Sequence, residues 1–189
     1  DNFYYQVLGL IEGGADVLLI ETQQDILETK AIIEGANKAF AEKKTRLPMI
    51  VQATVDVFSK MQIFNTDIHA AYTTVSGMGI DVFGINCNVG PKEMETTVEK
   101  LSRFCRHPIS VVPNAGQPIS EDGQTCYKLS PEDMANLMEP FVREHGVAIV
   151  GGCCGTTPAH IKVLREKLNG VVPALRQPDE KIYVSGPQE

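Results

Sequence analysis

The sequence predicts an α/β fold of the (β/α)8 barrel type, with about five of the eight β/α units present. Three observations carry this reading. Short apolar runs alternate with longer stretches of helical spacing through residues 1–170, the pattern of parallel strands covered by helices. No Gly-x-Gly-x-x-Gly joins a strand to a helix, so a dinucleotide-binding sheet has no support. Polar and sulfur-bearing residues gather at the carboxyl ends of the apolar runs, where a parallel barrel keeps its site.

The elements follow in order. Residues 1–14 have helical spacing, with Tyr4, Val7, Leu8 and Ile11 on one face and a stop at Gly13 and Gly14. "DVLLIET" (16–22) reads as a buried strand. Residues 25–44 return to helical spacing through Ile26, Ala31, Ile33, Ala36 and Phe40. "PMIVQATV" (48–55) is a strand, 67–79 a helix with a glycine end, and "DVFGINCN" (81–88) a strand. Residues 91–105 form a helix with Pro91 near its first position, where a missing N–H costs nothing. "ISVVPNAG" (109–116) is the fourth strand. Residues 130–146 open with Ser130 as N-cap, Pro131 behind it and acids in the first turn. "VAIVGGCC" (147–154) is the last strand and 157–170 the closing helix.

Five strands do not close an eight-stranded barrel. The leading helix reads as a crossover helix without its strand, so residues 1–170 read as the C-terminal part of a barrel. Residues 171–189 lose periodicity and gain proline, and read as a linker toward a following domain.

Composition bounds the function. A net charge of -7 argues against a nucleic-acid binder and against an anionic membrane surface. No apolar run approaches the roughly 20 residues of a membrane span. No secretory signal is visible, since Asp1 leads straight into a helical pattern. Five cysteines in a chain rich in regular structure fit a reducing compartment with free or metal-bound thiols. The expected location is cytoplasmic.

The strand ends carry Glu21 and Thr22, Thr54 and Asp56, Asn86, Cys87 and Asn88, Asn114, and Cys153 with Cys154. A parallel barrel brings these to one mouth. Adjacent cysteines cannot both face a core, and neighbours reach disulfide geometry poorly. Three converging thiolates suit a soft-leaning metal, zinc first among them, and three protein ligands leave a fourth position for a substrate. Such a centre favours a substrate thiol, held as thiolate and ready to attack an activated methyl group. Gly151, Gly152 and Gly155 let both neighbours reach one ion. The plainer alternatives are that a lone cysteine such as Cys87 is a small buried apolar residue, or that the thiols form a closed, non-catalytic zinc module. Cys105, late in a helix, and Cys126, in a loop, read as non-functional. The four histidines read as surface groups away from the mouth. Glu21, ending an apolar strand, reads as a buried carboxylate that a substrate ammonium would partner.

"DVLLIET" (16–22), "GINCNVGP" (84–91), "VVPNAGQP" (111–118) and "IVGGCCGTTPAHI" (149–161) together resemble the homocysteine S-methyltransferase family. The resemblance covers residues 1–170. It implies a (β/α)8 barrel and methyl transfer to homocysteine, giving methionine. It implies Cys87, Cys153 and Cys154 as zinc ligands and Glu21 as a contact to the homocysteine amino group. It implies that Asn114 offers its carbonyl oxygen to zinc when no thiol is bound. "GGCCGTTPAHI", "PNAGQP" and the tail "YVSGPQE" look most like the family's cobalamin-dependent branch. There methylcobalamin on another domain is the methyl donor, and cobalamin and folate domains share the polypeptide. A stand-alone enzyme using betaine or S-methylmethionine is the alternative within the family. The chain departs from the family pattern in lacking a "DGxxGT"-type motif, and in the loop "TVDVFSKMQIFNTD" (54–67), which is poor in glycine.

Overall fold

The computed structural model describes residues 1–181 and 183–186. Six α-helices and seven β-strands follow one another along these residues. Helix α1 (Asn2–Glu12) precedes strand β1 (Leu18–Gln23), then α2 (Ile26–Lys43), β2 (Met49–Ala53), α3 (Ile68–Val75), β3 (Val82–Asn86), α4 (Pro91–Phe104) and β4 (Ile109–Val112). A hairpin of β5 (Ile119–Glu121) and β6 (Gln124–Cys126) comes next, before α5 (Pro131–Arg143), β7 (Val147–Val150) and α6 (Pro158–Leu168). The main sheet has the order β1-β2-β3-β4-β7 with every pair parallel. This is a five-stranded arc of a (β/α)8 barrel, in which neighbours in sequence are neighbours in space.

The expected elements are all present, most of them shorter than their apolar runs. Asp25 caps α2 by accepting from the Leu27 N–H, and Asp67 caps α3 through the His69 N–H. Ser130 caps α5 with Pro131 at the start, as the sequence indicates. Strand β4 stops before Pro113, which has no N–H for a ladder. The hairpin is new. Its signal is the Asp122-Gly123 pair, whose φ values of 49° and 77° match a two-residue turn with both residues left-handed. Cys126 therefore ends a strand and does not lie in a loop.

The two faces of the sheet differ. Met49, Val51, Phe83, Ile85, Ile109, Val111 and Val147 are buried against the helices, beside Ile33, Val98, Leu101, Met134 and Met138. The opposite face carries Gln52, Gly84 and Ser110 in one row across β2, β3 and β4. The Gln52 Nε2 donates to Ser110 Oγ over 2.7 Å. The bond passes over Gly84, where any Cβ would stand 2.0 Å from the Ser110 carbonyl oxygen. Glycine is required there by close approach, not by a left-handed turn.

Residues 171–181 and 183–186 form no regular element, yet they do not run free. The Ala174 N–H donates to Val142 O, Arg176 donates to the carbonyls of Cys105 and His107, and the Asp179 N–H donates to Arg103 O. Tyr183 stacks edge-on to His69, with ring centres 4.0 Å apart, and Ser185 bonds Thr74. The tail is a strap across the α5–β7 and α4–β4 turns and along α3. Positions 182 and 187–189 of the expected linker lie outside the described residues. No helix among the described residues is long and apolar enough to cross a membrane.

Candidate metal centre

Cys87 follows β3 directly, and its backbone turns left-handed at φ 62°, with Asn88 at 64°. A non-glycine residue there is strained by roughly 1–3 kcal/mol. Two neighbours hold the turn. The Cys87 N–H donates to Val112 O and the Val89 N–H closes back onto Cys87 O. Asn88 tolerates this conformation and its side chain donates to Val55 O while accepting from Gln62. The kink redirects the chain so that the Cys87 side chain faces the end of β7.

Cys153 and Cys154 lie past β7 and are pinned to the loop after β4. The Cys153 N–H donates to Pro113 O over 2.7 Å, and the Ala115 N–H donates to Cys154 O over 2.8 Å. Asn114 Oδ1 accepts from the Cys154 N–H at 3.0 Å. Thr156 closes the turn through its hydroxyl on Cys153 O. Gly155, at φ 77°, supplies the left-handed residue that lets the chain leave toward α6.

The three sulfurs meet. Cys87 and Cys154 are 3.7 Å apart, Cys153 and Cys154 3.9 Å, and all three lie within 4.8 Å of one another. These distances exclude a disulfide, whose sulfurs stand about 2.05 Å apart. They match the edge of a tetrahedral site, which is about 3.8 Å for zinc–sulfur bonds of about 2.3 Å. Cys87 and Cys153 are partly buried and Cys154 is exposed. Burial first, then the neighbouring Cys87, pushes the Cys153 thiol up to about 12. Three thiols this close ionise together only against a cation, so the donor set fits zinc. Among the described residues no fourth Cys, His, Asp or Glu joins the group, which leaves one corner for an incoming ligand.

Glu21 is not one of the groups that meet at the thiol cluster. It is exposed, not buried, on β1, which ends the sheet order among the described residues. It lines a groove at the sheet edge with Phe3, Val7, Leu10 and Leu19. The neighbouring Thr22 is tied to the rest of the mouth, since its N–H donates to Asn86 Oδ1 and its hydroxyl accepts from Asn86 Nδ2. Asn114 is buried, and its side-chain oxygen is occupied by the Cys154 N–H. The contact the structure gives it is therefore to the two-cysteine turn.

Sequence reasoning missed two residues. His160 is buried, not a surface group. Its Nδ1 accepts from the Thr157 N–H, so Nε2 carries the proton and donates to Leu129 O over 3.0 Å. Thr157 before Pro158, three residues ahead of His160, is a capping pattern that was there to be read. Tyr127, just past β6, packs its ring on Gly155 beside the cysteine pair, where a Cβ would stand 2.3 Å from Tyr127 Cγ. Burial, then Cys154, pushes its phenol pKa up. No spacing rule in the sequence points to it.

A parallel strand–helix arc with three thiols gathered at its carboxyl mouth defines a class of barrel proteins, and the comparisons narrow it. The sequence profile of the family described as Homocysteine S-methyltransferase matches residues 1–168, and the chain belongs to that family. It is 37% identical over 182 residues to the methionine synthase of Mycobacterium tuberculosis (strain ATCC 25618 / H37Rv), covering 96% of this chain and 15% of that protein. It is 40% identical over 162 residues to the methionine synthase of Mycobacterium leprae (strain TN), covering 86% of this chain and 13% of the relative. The chain thus spans about a seventh of the length of these relatives. Among solved structures, the metallated form of the homocysteine methyltransferase MmuM from Escherichia coli superposes with a TM-score of 0.64 at 23% identity. That match covers 88% of this chain and 51% of the other. The apo form gives 0.63. These two likenesses establish the shared fold.

Proposed function

We propose that this chain is the homocysteine-binding barrel segment of a cobalamin-dependent methionine synthase, that it holds zinc through Cys87, Cys153 and Cys154, and that it presents homocysteine for S-methylation to methionine. The observation that carries the proposal is the triangle of sulfurs at tetrahedral-edge spacing with one corner open. The two mycobacterial relatives, each named methionine synthase, support the choice of branch.

Bound zinc would supply the positive charge that keeps a substrate thiol ionised near neutral pH. The chain's own residues do the rest. Cys87 is held by its strained turn, and Cys153 and Cys154 by the β4 loop. Asn114 orients Cys154 through its N–H. The Glu21 carboxylate stands exposed for the substrate's ammonium. In the reaction the homocysteine thiol loses its proton to solvent. A sulfur–carbon bond forms as the donor–methyl bond breaks, and the electron pair of the broken bond stays with the donor. The donor is methylcobalamin, carried with the folate site on other domains of a cytoplasmic polypeptide.

Metal analysis with homocysteine titration tests this. Wild type binds one zinc and releases a proton on adding homocysteine. Cys87→Ala and Cys154→Ala lose both; full zinc and full proton release in either variant would sink the proposal. Glu21→Gln keeps zinc and weakens homocysteine binding by about tenfold, the loss of one charge-assisted bond.

A further inference from the structure

The end of β1 carries an irregularity that the proposed function leaves unused. Strand β1 pairs Ile20 with Val51 and Gln23 with Ala53, so Glu21 and Thr22 together stand opposite the single residue Gln52. One extra residue is inserted there, a bulge of the kind that re-aims side chains at barrel rims. Alternation along β1 breaks at the same point. Leu18 and Ile20 are buried and Leu19 is exposed, but Glu21 and Thr22 are both exposed. Thr22 bears the strain, at φ 59°, a conformation that β-branched residues avoid.

The bulge is held from β3, two places along the sheet order. Asn86 Oδ1 accepts from the Thr22 N–H and Asn86 Nδ2 donates to the Thr22 hydroxyl, both over 2.8 Å. Thr54, just past β2, donates its hydroxyl to the Asn86 carbonyl oxygen over 3.1 Å. Asn86 is fully buried. An amide carries an acceptor and a donor on one planar group, and here Thr22 satisfies both away from water, where an unmade bond is costly. The next residue along the chain is Cys87, left-handed at φ 62°. Two strained residues, one beside the Glu21 carboxylate and one bearing a thiol, are therefore joined by a single buried side chain.

We infer that Asn86 is a positioning residue for the substrate: it locks the Glu21–Thr22 bulge to Cys87, and so fixes the spacing between the carboxylate that meets the substrate's ammonium and the metal corner that takes its thiol. This rests on the proposed roles of Glu21 and of the three cysteines. A substrate anchored at both ends must match that spacing. A carboxylate on an unheld bulge has to be ordered as the substrate binds, and that ordering is subtracted from affinity.

The test uses Thr22→Val, which keeps the β-branched shape and removes the hydroxyl that Asn86 Nδ2 bonds. The zinc-loaded full chain is titrated with homocysteine and with 4-mercaptobutyrate, which has the same carbon chain, thiol and carboxylate but no ammonium. Zinc affinity is measured separately by chelator competition. The variant is expected to bind homocysteine about tenfold more weakly, with 4-mercaptobutyrate and zinc unchanged. Thr22→Ser, which keeps the hydroxyl, is expected to restore homocysteine binding. A purely structural role would weaken both thiols, or zinc, alike; that outcome, or no change at all, overturns the inference. A wild type that binds the two thiols equally removes the role of Glu21 and the inference with it, and a wild type that holds no zinc removes the metal reading likewise. A wild type that prefers homocysteine, beside a variant with the same preference, strikes the role of Asn86 alone.

Discussion

Cys87 is held in a conformation that ordinary residues avoid, and it stays there because Val112, Val89 and the Asn88 contacts outweigh the strain. Cys154 depends on a single side chain, Asn114, for the direction of its N–H. Asn114→Ala leaves that N–H without its partner and frees the turn. It is expected to weaken metal binding by about tenfold, while Asn114→Asp, which keeps an oxygen acceptor, recovers most of it. Chelator competition separates the two; equal affinity for both variants would show that Asn114 does not steer the turn. The cysteines themselves were legible in the sequence, since adjacent thiols at a strand end have no good packing explanation. Asn114 was legible as a mouth residue, but its partner was not. A hydrogen bond across 40 residues is set by how two loops dock, and no local pattern encodes that. Glu21 was misjudged in burial for a related reason, because an apolar run shows that a strand is buried on one face without showing whether it is an edge.

At the scale of elements, the alternation of strand and helix was readable because apolar spacing differs between the two. The hairpin of β5 and β6 escaped because each strand is three residues long and no residue of Ile119–Glu121 is buried, so neither leaves an apolar period. Only its Asp122-Gly123 turn announced it. Gly123 stands at φ 77°, and a Cβ added there would meet nothing within 4 Å, so its cost on substitution is conformational alone. Gly123→Ala is expected to destabilise the hairpin by about 1 kcal/mol. Amide exchange checks this: residues 119–126 should exchange several-fold faster while β2, β3 and β4 are unchanged. No change in the hairpin would mean that the turn does not hold it. The hairpin matters because it leads straight into Tyr127, whose ring packs on Gly155 beside the two-cysteine turn.

For the whole molecule, the strap of residues 171–181 and 183–186 covers the α4–β4 turn and the thiol of Cys105 beneath it. Cys105 is fully buried, and burial, only partly offset by Arg176, pushes its pKa up to about 11 from an ordinary 9.0. The raised value means that the fold favours the neutral thiol. Below pH 9 both folded and unfolded states are protonated and this stability is fully present. As pH rises from 9 to about 11 the unfolded chain ionises first, and stability falls by about 3 kcal/mol. Urea unfolding across that range should show the fall in wild type and a shallower one in Cys105→Ala; parallel profiles would rule the linkage out. Ending the chain at Gly170 removes Arg176 and its bonds to the Cys105 and His107 carbonyls. Alkylation of Cys105 in the otherwise folded chain should then quicken by at least about tenfold. An unchanged rate would show that the strap does not protect it. Composition did not show that this segment packs on the domain, because a strap held by backbone carbonyls has no apolar period.

The sequence by itself determined the parallel α/β class, the order of the five sheet strands and which three cysteines would gather at the strand ends. It could do so because helix and strand periods are local, and because strand ends in a parallel barrel share one face whatever their separation. Tertiary structure alone decided the sulfur triangle, the occupation of Asn114 by Cys154, the exposure of Glu21, and the placing of Tyr127 on Gly155. Each of these is a distance between loops far apart in the chain. Such distances depend on how strands register and helices pack, and that is a property of the assembled core rather than of any stretch of residues.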